Sequence, residues 1–231
     1  MEEEIKELFK RIDELISKKD YRSANKILSK LTSKARYDGV SIDIIREIEK
    51  RKILIYDNIF VPLPTIFSSI YIWILGLILS LFLFYFAMIY QISSEYLSLL
   101  FYLIALALIL VVTHTLSHMV LAKLYRIKIS KVYLGGMVKL QPTVVAEYSS
   151  YFTASPEKRK NYHAIGAYVT ILTSLIILLI SFIFYVHLSV KIISIIVFIG
   201  ILITDIIFSP KYSDLKRARR EIKIKEITIS K

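Results

Sequence analysis

Four long apolar runs confine this chain to a membrane. They extend over roughly Ile66–Ile92, Tyr96–Leu121, Ala164–His187 and Ile192–Phe208. A helix needs about 20 mostly apolar residues to cross the hydrocarbon core of a bilayer, and each run is near that length. Because lipid offers the backbone no hydrogen bonds, an open strand or a loop cannot replace a helix there. The runs therefore predict an α-helical integral membrane protein with four transmembrane helices.

The charges between the runs predict how the chain crosses the membrane. The two short links, Ser93–Glu95 and Leu188–Val190, contain no Lys or Arg. Residues 119–163 contain eight of these cations, and the tail 205–231 also contains eight. Lys and Arg accumulate on the cytoplasmic side of membrane proteins, so both termini and the middle loop are expected in the cytoplasm. This topology accounts for the net charge of +12, and no nucleic-acid partner is expected.

The segment before the first run is charged but balanced. Residues 1–58 contain 14 Lys or Arg against 12 Asp or Glu, and apolar residues recur among them at helical spacing. This pattern is typical of amphipathic helices. Asp20 and Ser41 are suited to cap a second and a third helix. Residues 1–58 are therefore predicted to form a soluble cytoplasmic helical module, a helical hairpin with a connector to the membrane.

The rest of the chain is predicted to divide into three segments. Residues 59–95 contain the first transmembrane helix, and residues 211–231 form a basic cytoplasmic tail. Between them, residues 96–210 form a membrane core, which consists of spans 96–121, 164–187 and 192–208 and the cytoplasmic loop 122–163. The tail is expected to bind anionic lipid headgroups through its cations, among them Lys216, Arg217, Arg219 and Arg220.

The middle loop is predicted to contain a small β element at the membrane interface. Strand-forming residues such as Val132 and Tyr133 precede Gly135-Gly136, and Pro142 closes the segment. The charged stretch Ser155–Lys160 that follows is predicted to be an exposed turn.

Two histidines mark the candidate functional site. His114 and His118 lie four residues apart near the cytoplasmic end of the second run, so a helix places both rings on one face. Ionisable residues in a span are costly and tend to serve function. Asp205 and Asp214 lie at or just beyond the cytoplasmic end of the fourth run. Two neutral histidines and one carboxylate suit zinc with an open position for water. The alternative is that these residues only make hydrogen bonds between packed helices.

The segment from His114 to Ile129 resembles the signature of the site-2 protease family of intramembrane zinc metalloproteases. Val132–Gly136 is similar to that family's glycine-containing strand, and Ile165-Gly166-Ala167 stands where the family has Ala-Gly-Pro. The segment Asp205–Arg217 looks like its Asn-…-Pro-…-Asp-Gly element. The resemblance covers roughly residues 96–220 and implies a three-helix core. It also implies a zinc ion bound by His114, His118 and Asp214, although membrane depth alone favours Asp205 as the third ligand.

The chain departs from this family at the residue that would act as general base. Thr115 replaces the glutamate that takes a proton from zinc-bound water, and Leu215 replaces the glycine after the aspartate. Loss of a general base costs roughly 10²–10⁴-fold in rate. Metal binding does not need that glutamate. On this basis, changing Thr115 to Glu is expected to create or raise activity wherever zinc is bound.

Three functions follow from these features. The first expectation is a site-2-protease-like membrane protein without ordinary peptidase activity, which binds or regulates membrane-protein substrates or an active protease relative. The second is an active but divergent intramembrane zinc metalloprotease that uses Glu147 or Asp205 as its base. The third is a non-enzymatic membrane scaffold. The absence of cysteine excludes thiolate catalysis and cysteine-ligated metals in each case.

Overall fold

The computed structural model of the chain describes residues 2–38, 40–135, 141–184, 187–204 and 214–229. These residues are mostly helical, with one small sheet. The helices are α1 (Glu2–Ser17), α2 (Tyr21–Asp38), α3 (Ile42–Ile59), α4 (Ile70–Tyr90), α5 (Glu95–Tyr125), α6 (Tyr148–Thr153), α7 (Pro156–Ile183), α8 (Leu188–Leu202) and α9 (Asp214–Ile229). A 3₁₀ turn covers Thr65–Ser68, and the strands are β1 (Val61–Pro62), β2 (Ile129–Gly135) and β3 (Gln141–Ala146).

Three helices are long and apolar enough to cross a membrane. These are α4, α5 and α7, with 21, 31 and 28 residues. They confirm the prediction of a helical membrane protein. Helix α8 is apolar but has only 15 residues, and residues 205–208 of the fourth predicted run lie outside the described part of the chain. The fourth span therefore remains a prediction.

The backbone contacts divide the chain into two compact units. The first unit comprises Met1–Thr65 and Arg126–Ser155, and the second comprises Ile66–Tyr125 and Pro156–Lys231. The loop 122–163, which the sequence assigned to the membrane core, is thus shared between the two units. The division depends on contacts between residues that are distant in sequence, such as those of the sheet described below. No local sequence pattern predicts such contacts.

The first unit is built on α1, α2 and α3, which bury their apolar stripes against one another. Ile12, Leu28 and Ile48 are at most 2% exposed. The predicted caps are present: Asp20 Oδ1 accepts the Ser23 N–H at 3.1 Å, and Ser41 Oγ accepts the Ile44 N–H at 3.4 Å. Each cap satisfies a backbone donor that the first helical turn leaves unpaired.

A three-stranded antiparallel sheet completes the first unit in the order β1-β2-β3. Val61 pairs with Leu134, and Ile129 pairs with Ala146 at the other end of β2. Asp57 at the end of α3 accepts hydrogen bonds from Lys131 Nζ at 2.9 Å and from the Tyr133 hydroxyl at 2.8 Å. The β element predicted for the middle loop is present, and the sequence did not indicate its third strand, the two-residue β1.

In the second unit, polar pairs join the apolar helices. The Tyr102 hydroxyl of α5 and Ser194 Oγ of α8 lie 2.5 Å apart and share a hydrogen bond. At one end of the unit, His187 Nε2–H donates to the Gln91 carbonyl at 2.8 Å. The short link after α4 therefore meets the short link after α7, as the predicted topology requires.

The stretch Ser155–Lys160 is not the exposed turn that its charges predicted. Helix α7 begins at Pro156, a residue whose fixed φ and missing N–H suit the first helical position. Residues 156–160 thus form the first turn of α7, and the side chain of Arg159 within it is only 7% exposed. The predicted exposure holds for Ser155, Glu157 and Lys158. The prediction was wrong in taking the segment as a turn and in expecting Arg159 to be exposed, because Arg159 has a buried acidic partner.

Candidate metal centre

Helix α5 presents both histidines on one face, as their spacing predicted. The two ring centroids lie 4.9 Å apart with the ring planes at 72°. His118 is 6% exposed and lies against the ring of Tyr162 of α7, at 5.2 Å between centroids. Helix α5 contains no Gly or Pro that would interrupt it, so the positions of the two rings are fixed by the helix itself.

Asp214, the first described residue of α9, completes the cluster. Its Oδ2 lies 3.2 Å from His118 Nε2 and 3.4 Å from His114 Nε2. One ligand-type atom from each of the three residues lies within 4.8 Å of those from the other two. The structure therefore brings together the three residues that the sequence motif indicated. Asp205, the alternative third ligand, lies outside the described residues.

The outer nitrogen of each ring is held by α7. His118 Nδ1 lies 2.8 Å from the Tyr162 carbonyl, which can only accept, so this nitrogen carries the proton. His114 Nδ1 lies 3.1 Å from Thr170 Oγ1, whose own hydroxyl donates to the Gly166 carbonyl at 2.8 Å. The Thr170 oxygen is thus left to accept from Nδ1–H. With one proton on each ring, that proton lies on Nδ1 and the Nε2 lone pair is directed at Asp214.

This arrangement calls for a positive charge at the centre of the cluster. Two nitrogen lone pairs and a carboxylate oxygen repel one another at 3.2–3.4 Å unless a proton or a cation lies between them. A cation at this point would pair with an ionised Asp214 carboxylate and two neutral rings, which are the forms in which these side chains bind metals.

The distances suit a tetrahedral zinc site. With zinc–ligand bonds of about 2.0–2.1 Å, neighbouring ligand atoms of a tetrahedron lie roughly 3.3 Å apart. The two nitrogen–oxygen distances of 3.2 and 3.4 Å bracket that value. Three protein ligands leave one position for water, which is the usual composition of a catalytic zinc site. The donor set and its spacing therefore fit this metal.

Gly166 of α7 keeps the centre of the cluster open. A Cβ atom at this position would lie 2.7 Å from His114 Cε1 and 3.0 Å from Asp214 Oδ2, and it would also contact His118 Nε2. Any side chain larger than hydrogen would therefore occupy the space toward which the three ligand atoms converge. Sequence reasoning noticed Gly166 only as part of the resemblance. Thr170, four residues later on the same helix face, was missed although its spacing was the available signal.

Thr115 is not part of the cluster of ligand atoms. It is fully buried, and its hydroxyl donates to the Val111 carbonyl of the preceding turn at 2.9 Å. A threonine engaged in this way cannot take a proton from water. Glu147, one of the two bases considered from the sequence, lies in the first unit, where its carboxylate accepts the Ser149 hydroxyl at 2.5 Å. The other, Asp205, lies outside the described residues.

The four cations of the tail lie on different faces of α9. Lys216, Arg219 and Arg220 are exposed, whereas Arg217 is half-buried and its Nη1 lies 4.0 Å from Asp214 Oδ1. Ala218 and Glu221, which share the face of Asp214 and Arg217 by helical spacing, are buried. Arg217 therefore faces the ligand cluster rather than the exterior, and the other three remain suited to a lipid surface.

Comparison of the chain with family models, with curated proteins and with solved structures finds no match in any of the three. The functional reading of the cluster consequently rests on its own geometry.

Proposed function

We propose that this protein is a membrane-embedded zinc-binding protein of site-2-protease-like design that binds or regulates membrane-protein substrates without ordinary peptidase activity. The observation that carries this proposal is the convergence of His114 Nε2, His118 Nε2 and Asp214 Oδ2. The cluster lies where α5, α7 and α9 meet, and α5 and α7 are two of the membrane-spanning candidates. The protein lies in the lipid bilayer, and its partners are transmembrane substrates or an active protease relative.

The residues of the cluster have distinct parts in this function. The two histidines and Asp214 hold the metal, and Tyr162 and Thr170 fix the ring orientations through Nδ1. A bound zinc ion supplies Lewis acidity and an acidified water. No described carboxylate other than Asp214 joins this ligand group, and Thr115 donates its only proton to the helix backbone. The described residues thus retain the means to bind a metal and a polar group of a substrate, but among them no proton acceptor joins the cluster.

The topology proposed with this function has four spans and both termini in the cytoplasm. The cluster then lies at the cytoplasmic side of the membrane, near the exposed cations Lys216, Arg219 and Arg220, which bind anionic headgroups. The helical module of the first unit is on the same side and is available to a cytoplasmic partner.

Metal analysis of the purified full-length protein tests the proposal. The parent is expected to contain about one zinc per chain, as a site with three protein ligands would. His118→Ala and Asp214→Ala should lose it. His187→Ala is the matched control, because its Nε2 contacts the Gln91 carbonyl at the other end of the unit. A parent without zinc, or a His187 variant that loses zinc equally, contradicts the proposal.

A cleavage assay on a membrane-spanning substrate separates regulation from proteolysis. The proposal expects no turnover above that of the His118→Ala variant. Turnover that a chelator removes and His118→Ala abolishes would establish the divergent protease instead. A parent with neither bound zinc nor turnover would favour the scaffold, in which the polar residues only pack between the helices.

A further inference from the structure

A buried ion pair lies two helical turns away from the metal ligands. Arg159 Nε of α7 donates to Glu221 Oε2 of α9 at 2.8 Å, and the two side chains are 7% and 0% exposed. Burying two opposite charges gains little stability compared with an apolar pair of the same size. Such a pair is better suited to fix one arrangement of the two helices, because its short N–H···O contact forms only when Arg159 and Glu221 are at the same level.

The spacing of this pair matches the spacing of the metal centre. Arg159 precedes Gly166 by seven residues on α7, and Glu221 follows Asp214 by seven residues on α9. Seven residues of α-helix rise about 10.5 Å. With Arg159 against Glu221 at one end and Gly166 close to Asp214 at the other, the two helices run antiparallel in a matched register. Slipping α9 by one turn would move Asp214 by about 5.4 Å.

We infer that Arg159 and Glu221 are positioning residues, which set the register of α9 on α7 and thereby deliver Asp214 to the two histidines as the third zinc ligand. The effect on zinc binding rests on the proposed zinc function. The register of α9 on α7 does not, because it is a property of the two helices. The histidines come from one helix and need no such device. The carboxylate comes from a separate helix, so the site exists only while α9 is in register.

The test uses a paired replacement, because a single change strands a buried charge and endangers the fold. Arg159→Met with Glu221→Leu removes both charges and keeps apolar volume. Arg159→Glu with Glu221→Arg exchanges them and restores a pair. Lys223→Gln is the control, since it removes one charge from an exposed position of the same helix. Zinc affinity is measured by competition with a chromophoric chelator. We expect a 10–100-fold loss for the apolar pair, partial recovery for the exchanged pair and no change for the control.

Two further measurements distinguish positioning from general destabilisation. Cobalt(II) replaces zinc as a spectroscopic probe, and the apolar pair should give the absorption spectrum of Asp214→Ala rather than that of the parent. The chain has no cysteine, so Glu157→Cys and Arg219→Cys can carry a single pair of spin labels. The distance between the labels should shift by about 5 Å or broaden in the apolar pair, and return in the exchanged pair.

The outcomes keep the two proposals separate. Label distances that stay at the parent's value in the apolar pair overturn the register inference, whatever the zinc content. If the parent binds no zinc but the label distance still shifts in the apolar pair, the zinc function is refuted and the register inference stands. A parent-like cobalt spectrum and affinity in the apolar pair would show that Asp214 reaches the histidines without the ion pair, which also overturns the inference.

Discussion

His118 Nε2 and Asp214 Oδ2 lie 3.2 Å apart although 96 residues separate the two along the chain. The histidine belongs to a helix that is almost wholly apolar, and the aspartate begins a helix that is rich in charge. A third helix, α7, stands between them in sequence. It contributes no ligand, but it holds both rings by Nδ1 and opens the centre of the cluster at Gly166.

Replacing Gly166 by alanine is expected to weaken zinc binding strongly without unfolding the protein. The added methyl would lie 2.7 Å from His114 Cε1 and 3.0 Å from Asp214 Oδ2, so it takes the space where the metal would be held. We expect zinc affinity to fall about 100-fold, at the upper end of what changes beside a metal site cost. Chelator competition on the purified protein measures this.

Gly200→Ala provides the control for that prediction. A Cβ at this position on α8 meets nothing within 4 Å, so it adds the same methyl to a helical glycine without a contact. Its zinc affinity should equal that of the parent, and its helix should be slightly favoured. If both alanine variants bind zinc like the parent, the three ligand atoms do not converge on one ion.

Two threonines beside the histidines make opposite predictions for the same substitution. Thr115 and Thr170 each donate to a carbonyl four residues earlier, but only Thr170 also accepts from a histidine, His114 Nδ1 at 3.1 Å. Thr170→Val removes that acceptor and frees the His114 tautomer, so zinc affinity should fall about tenfold. Thr115→Val should leave zinc affinity unchanged. Equal effects of the two variants on affinity would show that the ring orientation does not depend on Thr170.

The spacing of the two histidines and the resemblance around them predicted most of the ligand set. Helical periodicity alone fixes the relation of His114 to His118, so no tertiary information was needed. The choice between Asp205 and Asp214 could not be made from membrane depth, because depth orders residues only along one axis. The motif favoured Asp214, which lies beside both histidines.

The contribution of α7 could not be read from the sequence in the same way. Arg159 lies in a run of charged residues that looks solvated, and its burial depends on Glu221, 62 residues later. Similarly, the strand pairing of Val61 with Leu134 joins segments on either side of two apolar helices. Such pairings are decided by tertiary packing, which leaves no local period or motif in the chain.

The first unit is expected to lose stability with rising pH through Glu49. Its carboxylate accepts the Tyr148 N–H at 3.2 Å, and burial, followed by the nearby charge of Glu147, raises its pKa above the ordinary value of 4.5. The protonated form therefore favours the folded unit. That contribution is complete below pH 4.5 and is lost as the pH rises through the raised pKa. Lys52 opposes the shift without reversing it.

Glu49→Gln should therefore stabilise the protein more at pH 7 than at pH 4, when thermal unfolding of both is followed by circular dichroism. Glu47→Gln on the same helix should have the opposite pH dependence and should destabilise the protein more at pH 7 than at pH 4. Hydrogen bonds from Lys50 and then Arg51 lower the pKa of Glu47, so its contribution is present at pH 7 and is lost as the pH falls. A pH-independent difference between parent and Glu49→Gln would contradict the assignment.

The position of Asp214 also predicts that α8 crosses the membrane. Helix α7 passes the histidines and Asp214 at Tyr162 and Gly166 and ends near the link that contacts Gln91, and α8 begins there. Asp214 is nevertheless back beside His118. The chain must therefore return across the bilayer between His187 and Asp214. The 15 residues of α8 cover about 22 Å of the roughly 30 Å hydrocarbon core.

Single cysteines in this cysteine-free chain test that crossing directly. An impermeant maleimide applied outside intact cells should label Ser93→Cys and Leu188→Cys, which lie at the two short links. It should label Lys30→Cys and Lys223→Cys only after the membrane is permeabilised. If α8 did not cross, Lys223→Cys would react from outside while Lys30→Cys stayed protected. That labelling pattern would place Asp214 on the opposite side of the membrane from the cytoplasmic ends of α5 and α7. The two histidines and Asp214 could then not bind one ion.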